Sequence, residues 1–156
     1  MRFILFILVF ALAVYANAQK SQIKWYTWEQ AMVKNKKKPK MIFVDVYTNW
    51  CGWCKVMDSK TFSDSAVAAY MNKHFYCVKF NAEQQDELTF NKTSYKYKET
   101  SKVHEFAIWL LNSSMMYPSF SILNKKTEKV TVIKGYYEVK PFLEKLQQIV
   151  DGNSKK

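Results

Sequence analysis

The stretch VDVYTNWCGWCKVMD, Val44 to Asp58, places an aspartate in an apolar run six residues ahead of a cysteine, with a second cysteine three positions further on. Trp50 and Trp53 each directly precede one of the pair, and the chain holds only one other cysteine, Cys77. Three chemistries use two cysteines at this spacing: a metal knuckle, a covalent clip, or a dithiol that exchanges with other disulfides. A structural zinc site needs four ligands, usually two such pairs. Only Cys77, His74 and His104 remain to complete one, and His74 and Cys77 are not spaced as a second knuckle. Haem attachment through Cys-x-x-Cys-His is excluded, because Lys55 follows Cys54. As a clip, so short a loop removes only about 2 kcal/mol of chain entropy, against nearly 5 for a loop of about a hundred residues.

The redox reading accounts for more of the stretch. The attacking species in disulfide exchange is a thiolate, so one cysteine must ionise near neutral pH. Thr48 and Asn49 are cap-type residues and CKVMDSK contains no helix breaker, so Cys51 is expected at a helix N-terminus. There, accessible to solvent, it would meet unpaired N–H groups and the positive end of the helix dipole, which favour the anion. Cys54, one turn further in, would be buried, slower to ionise, and close enough to attack a mixed disulfide formed at Cys51.

Working outward, MIFVDVY (Met41 to Tyr47) is a short apolar run rich in β-formers, the pattern of a strand buried on both faces. Before it, WYTWEQAMVKNKKKPK reads as a helix capped by Thr27, with Trp28, Ala31 and Met32 on one face, ending ahead of Pro39. After the cysteines, SDSAVAAYMNKHF reads as a helix capped by Ser63 or Asp64, and FYCVKFN (Phe75 to Asn81) as a second strand. LTFNKTSYKY alternates on both sides of Asn91-Lys92 and suggests a hairpin. VHEFAIWLL sets Val103, Phe106, Ala107, Leu110 and Leu111 at helical spacing, with His104 at the margin of the stripe as a surface or boundary residue. SFSILN and KVTVIKG form a strand pair about Lys125-Lys126, KPFLEKLQQIV a closing amphipathic helix, and DGNSKK a frayed tail. By alternation Cys77 shares a face with Phe75 and Lys79, where a free cysteine behaves as a small buried hydrophobe. The order of elements is α/β, with a central mixed sheet covered by helices on both faces.

The 156 residues make one domain's worth of chain, 49% hydrophobic and 17% aromatic, a compact globular composition. Residues 1–18 are set apart. Arg2, an unbroken apolar run from Phe3 to Val14, and Ala16-Asn17-Ala18 fit a signal peptide cut after Ala18 better than the alternative, an uncleaved anchor. The run is shorter than the about 20 residues of a membrane span, so no stable membrane insertion is expected after cleavage. The mature domain would comprise residues 19–156 and work where disulfides persist, in a periplasm or outside the cell. The net charge is +11, yet Arg2 is the only arginine. Without arginine the bidentate reading of phosphates and base edges is lost, which argues against a nucleic-acid partner.

The combination FVDVYTNWCGWCK, CVKFN, a Tyr-Pro-Ser ahead of the final strand pair, and Gly135 ahead of the last helix resembles the thioredoxin family. The resemblance runs through nearly all the mature chain, which is especially similar to secreted bacterial thioredoxin-like proteins that carry a longer middle segment. It implies a thioredoxin-like fold in which Cys51 is the nucleophile and Cys54 the resolving thiol. Asp45 would be the buried acid beneath the pair, helping to deprotonate Cys54, and Lys79 the lysine beside that acid. Trp50 would form an apolar docking rim, with Gly52, Trp53 and Tyr117 near the substrate, and Pro118 would be the family's cis-proline. The chain departs from the pattern in having Gly52-Trp53 between the cysteines where reductants of the family usually have Gly-Pro. It also carries a longer segment over 84–116, whose Phe90, Tyr95 and Tyr97 would shape partner choice or cover a sheet edge.

The expectation is a thiol–disulfide oxidoreductase acting on disulfide-containing proteins, as reductase or isomerase rather than oxidase. It would need no bound cofactor beyond the redox-active Cys51–Cys54 pair, and would need re-reduction by a partner such as a membrane electron donor. Two rivals belong to other classes: a thioredoxin-fold binding or chaperone module without turnover, and a lysine-rich module adhering to anionic surfaces.

Overall fold

The computed structural model describes residues 21–154, so the leader reading of residues 1–18 lies outside the described residues. Five strands form one sheet in the order β1-β3-β2-β8-β9. β1 (Trp25–Tyr26), β2 (Met41–Tyr47) and β3 (Phe75–Asn81) run parallel, β8 (Ser119–Leu123) runs antiparallel to its neighbour β2, and β9 (Lys129–Lys134), antiparallel to β8, again points the way of β2. The sheet is therefore mixed, and β2 is its central strand.

Period-two alternation along β2 assigns its side chains to two cores. Met41 and Phe43 enter one with Phe75, Cys77, Phe120 and Ile122. Ile42, Val44 and Val46 enter the other with Tyr76, Val78 and Phe80. On the first face lie α2 (Gly52–Lys60), α3 (Ser65–His74) and α5 (Val139–Ser154), through Met57, Val67, Met71, Phe142 and Leu146. On the second lie α1 (Trp28–Lys37) and α4 (Glu105–Leu110), through Trp28, Ala31, Phe106 and Leu110. Asp45 has the parity of Met41 and Phe43, so it points under α2.

Local chemistry sets the helix starts. Thr27 accepts the Gln30 N–H at 3.2 Å while Gln30 accepts the Thr27 N–H at 3.1 Å, a reciprocal capping box for α1. Asp64 accepts from the Ala66 and Val67 N–H groups at 2.8 and 3.0 Å and starts α3. The hairpin of β4 (Leu88–Phe90) and β5 (Thr93–Tyr95) forms about Asn91 and Lys92, both left-handed at φ 49° and 64°. That is the backbone twist a two-residue loop needs, reached here without glycine.

Three details differ from the sequence reading. Val103 and His104 form a two-residue strand, β7, paired with β6 (Tyr97–Lys98), and α4 begins only at Glu105. His104 is fully buried rather than at the surface: its Nδ1 accepts the Phe106 N–H at 3.1 Å and its Nε2 lies 3.0 Å from the Asp86 carbonyl. A histidine thus does the capping work usually given to Ser or Asp. Helix α5 continues to Ser154, so residues 151–154 extend the helix past the expected end at Val150. Phe90 and Tyr95 of the 84–116 segment turn inward and meet Phe106 edge-on, Trp109 stacks on Phe106, and Trp28 closes the cluster at 4.6 Å from Phe106. The segment covers the α1–α4 face of the sheet.

Candidate active site

The loop leaving β2 turns over the sheet edge and delivers Cys51 as the N-cap residue of α2. Its Sγ is bonded to that of Cys54 at 2.07 Å, and it also accepts the Cys54 N–H at 3.0 Å. The sulfur therefore occupies the acceptor position that a cap oxygen ordinarily fills, against N–H groups with no partner in the helix. Both cysteines are only 4% exposed. For Cys54 this matches the sequence reading. For Cys51 it differs: in the disulfide form its sulfur is drawn in against the helix start rather than open to solvent, and the solvent-facing groups are its neighbours.

Those neighbours are aromatic. Trp50 and Trp53 are 67% and 60% exposed. The Trp50 ring meets Tyr117 edge-on at 5.8 Å, and the Trp53 ring lies 5.3 Å from Tyr136. Gly52 sits between them in open space, where an added Cβ would meet nothing within 4 Å. The Tyr117–Pro118 peptide bond is cis, and the Pro118 carbonyl accepts the Gly135 N–H at 2.9 Å, tying the entry of β8 to the exit of β9. Pro118 is buried and Tyr117 half-buried.

Beneath the pair, Asp45 is 2% exposed, with Oδ2 3.1 Å from Lys79 Nζ and Oδ1 lacking a hydrogen-bond partner among the described residues. Asp45 and Lys79 are register partners on β2 and β3, so the ion pair is a cross-strand contact. Cys54 and Met57 are the buried residues of α2 and stand one turn apart, which turns Cys54 toward the same sheet face. Burial pushes the Asp45 carboxyl up to about 6; Lys79 opposes this and the charge of Asp58 adds to it. Burial alone would lower Lys79, but Asp45 and Asp58 together outweigh it and hold its ammonium above its ordinary range. The pair is lopsided. Lys79 has two carboxylates, while Asp45 has a share of one cation.

The structure thus brings Cys51, Cys54, Trp50, Gly52 and Trp53 together on one loop and helix start, places Asp45 and Lys79 on the sheet face under that helix, and joins Tyr117 and Pro118 to them through Trp50. Sequence reasoning missed four contributors. Asp58 binds Lys79 at 2.5 Å, and Glu83 accepts the Trp50 indole N–H at 2.7 Å. Met115 and Met116, 36% and 53% exposed, lead into Tyr117. The cue for the last two was the apolar pair directly ahead of Tyr-Pro; nothing local marks Asp58 or Glu83, whose partners are distant in sequence. Cys77 is buried, and burial pushes its thiol far above the ordinary range. Among the described residues, no group of three or more His, Cys, Asp or Glu could hold a metal ion, and no helix is long and apolar enough to cross a membrane.

A mixed five-stranded sheet, a Cys-x-x-Cys disulfide at the head of the helix after its central strand, and a cis-proline entering the next strand together define a thioredoxin-fold protein. The chain belongs to the Thioredox_DsbH family: that family's model, described as a protein of unknown function, DUF255, matches residues 11–151. Among solved structures it is similar to a DsbH oxidoreductase, with 12% identity, TM-score 0.63, and 86% of this chain against 89% of that one covered. It is also similar to a candidate disulphide-isomerase from Bacteroides thetaiotaomicron, with 26% identity, TM-score 0.59, and 85% and 97% covered. Spermatogenesis-associated protein 20 of Mus musculus is 31% identical over 67 residues, 42% of this chain and 8% of that protein. The chain spans less than a tenth of the length of the curated relatives it matches.

Proposed function

We propose that this protein is a thiol–disulfide oxidoreductase that reduces or isomerises disulfides of other proteins in an export compartment. The observation that carries the reading is the position of Cys51 Sγ, the cap acceptor of α2. Once the disulfide opens, the same N–H groups that now face a neutral sulfur face an anion. That stabilises the thiolate at neutral pH and makes Cys51 the attacking group.

The reaction conserves electrons within the cysteines. The Cys51 thiolate attacks a substrate disulfide, forming a mixed disulfide and releasing one substrate thiolate, which takes a proton from solvent. Cys54 gives its proton to the Asp45 carboxylate and attacks Cys51 Sγ, forming the intramolecular bond and releasing the second substrate thiolate. The substrate gains two electrons and the enzyme loses two, so turnover needs a dithiol donor, for which a membrane electron carrier is the reading we favour. No bound cofactor enters. The exposed Trp50 and Trp53 with Tyr117, Met115 and Met116 give an apolar margin on which a substrate segment can dock.

Reduction of insulin with a dithiol donor tests the reading. Turnover by the wild type, abolished by Cys51→Ser, supports it, and Cys54→Ser should accumulate mixed disulfides with physiological targets. A wild type that binds partners but turns over with no donor would make the protein a binding module instead.

A further inference from the structure

Asp58 has no part in the exchange reaction as written above, yet it makes the shortest ionic contact of the site. It lies on α2 four residues after Cys54, 45% exposed, with Oδ1 2.5 Å from Lys79 Nζ; the same nitrogen is 3.1 Å from Asp45 Oδ2. One ammonium is therefore divided between a half-exposed carboxylate and a buried one, and sits nearer the exposed one. Its place is held by rings on three sides: Trp25 and Tyr47 at 5.1 Å and Phe62 at 5.9 Å from the nitrogen. The charged groups facing Asp45 are Lys79 from β3 and Asp58 from α2, and on its other flank β8 offers the apolar Phe120.

We propose, on the basis of the exchange reaction above, that Asp58 is a positioning residue that draws the Lys79 ammonium off the buried Asp45 carboxylate and so keeps that carboxylate fit to accept the Cys54 proton. The physics is competitive. A cation wholly committed to Asp45 would stabilise its anion and make it a weaker base, slowing the proton transfer that precedes resolution. No cation at all would leave a buried carboxyl protonated over most of the working range and unable to accept anything. Sharing Lys79 holds Asp45 between these limits. Asp58 touches neither sulfur, and its effect on them runs through Lys79.

The test compares wild type, Asp58→Asn, Lys79→Met and the double variant, reading the Asp45 carboxyl by carbon NMR across a pH titration alongside the pH profile of mixed-disulfide resolution. Asp58→Asn should lower the Asp45 midpoint by about one pH unit, the low end of what an opposite charge at close range produces. The acid limb of the resolution profile should move down with it. Lys79→Met should move the midpoint the other way, and in that background Asp58→Asn should have much less effect than in the wild type. Asp58 is half exposed, so Asp58→Asn is compatible with folding, and a melt confirms it. An Asp45 midpoint unmoved by Asp58→Asn overturns the inference, as does an equal shift with and without Lys79, which would mean direct repulsion. The outcomes stay separable from the function itself: no insulin turnover with a shifted midpoint removes the enzyme reading and leaves only the hold of Asp58 on Lys79, whereas full turnover with an unmoved midpoint removes this inference alone.

Discussion

Replacing Asp45 with asparagine should stabilise the oxidised protein at neutral pH, and the gain should disappear in acid. The unfolded carboxyl titrates at its ordinary 3.8 and the folded one at about 6. Between those values the folded chain binds more protons than the unfolded chain, so this group's stabilising contribution is complete below 3.8 and is lost as pH rises through about 6. The gap corresponds, at about 1.4 kcal/mol per pH unit, to about 3 kcal/mol. That figure is an upper bound for Asp45→Asn, because Lys79 gives up one of its two carboxylates, although it keeps Asp58 at 2.5 Å. Denaturant melts of both oxidised proteins at about pH 4 and about pH 7.5 bracket the window. Subtracting one protein's pH dependence from the other's cancels the remaining acids, including Glu87 and Glu105, whose carboxyls are held below their ordinary range by hydrogen bonds and nearby lysines. The expected result is a difference of about 2–3 kcal/mol in favour of asparagine at the higher pH, shrinking towards zero at the lower. A difference that does not change with pH, or a variant less stable at neutrality, would mean Lys79 fully compensates the buried charge, and the account of a lopsided pair would be wrong.

Asp64→Ala should lower stability by about 1 kcal/mol in a thermal melt, since it leaves the Ala66 and Val67 N–H groups without their cap. Phe43→Ala should cost about 3–5 kcal/mol, because that ring is fully buried and stacked on Phe120 at 5.3 Å; a much smaller loss would show that the core on the α2 side collapses into the space. Cys77 should resist thiol reagents in the folded protein and react at once in denaturant, with Cys77→Ala leaving the redox potential of the Cys51–Cys54 pair unchanged. Trp50→Ala should raise the KM for a protein disulfide about tenfold with kcat little altered, as expected for a rim group that binds ground state and transition state alike; an equal fall in kcat would place Trp50 closer to the chemistry.

Much of this arrangement is readable before any coordinates. MIFVDVY declares a strand buried on both faces, and counting by twos from Phe43 puts Asp45 on the side where α2 must pass. Thr27 and Asp64 declare two helix starts, and Asn91-Lys92 a turn, because each rests on interactions within a few residues. What stays hidden depends on contacts between distant elements. Asp58 reads as one more polar residue on a helix until β3 brings Lys79 alongside. Glu83 is an ordinary loop acid until Trp50 reaches across to it. The two-residue strands β1, β6 and β7 are shorter than any period that could reveal them. His104 is hidden for a related reason: the apolar spacing of VHEFAIWLL suits a helix begun at Val103, and only the fold shows a buried imidazole capping a helix that starts two residues later, at Glu105.

The indole N–H bond to Glu83 and the ring contact with Tyr117 hold a tryptophan that is mostly open to water. A free side chain of that size would have to surrender its rotamers when a partner arrived, at a cost of about 0.5–1.5 kcal/mol. Here the chain's own folding has already met that cost. Cutting the tether with Glu83→Ala would therefore leave the contacts available to a visiting protein intact and appear in calorimetry as a less favourable entropy of association.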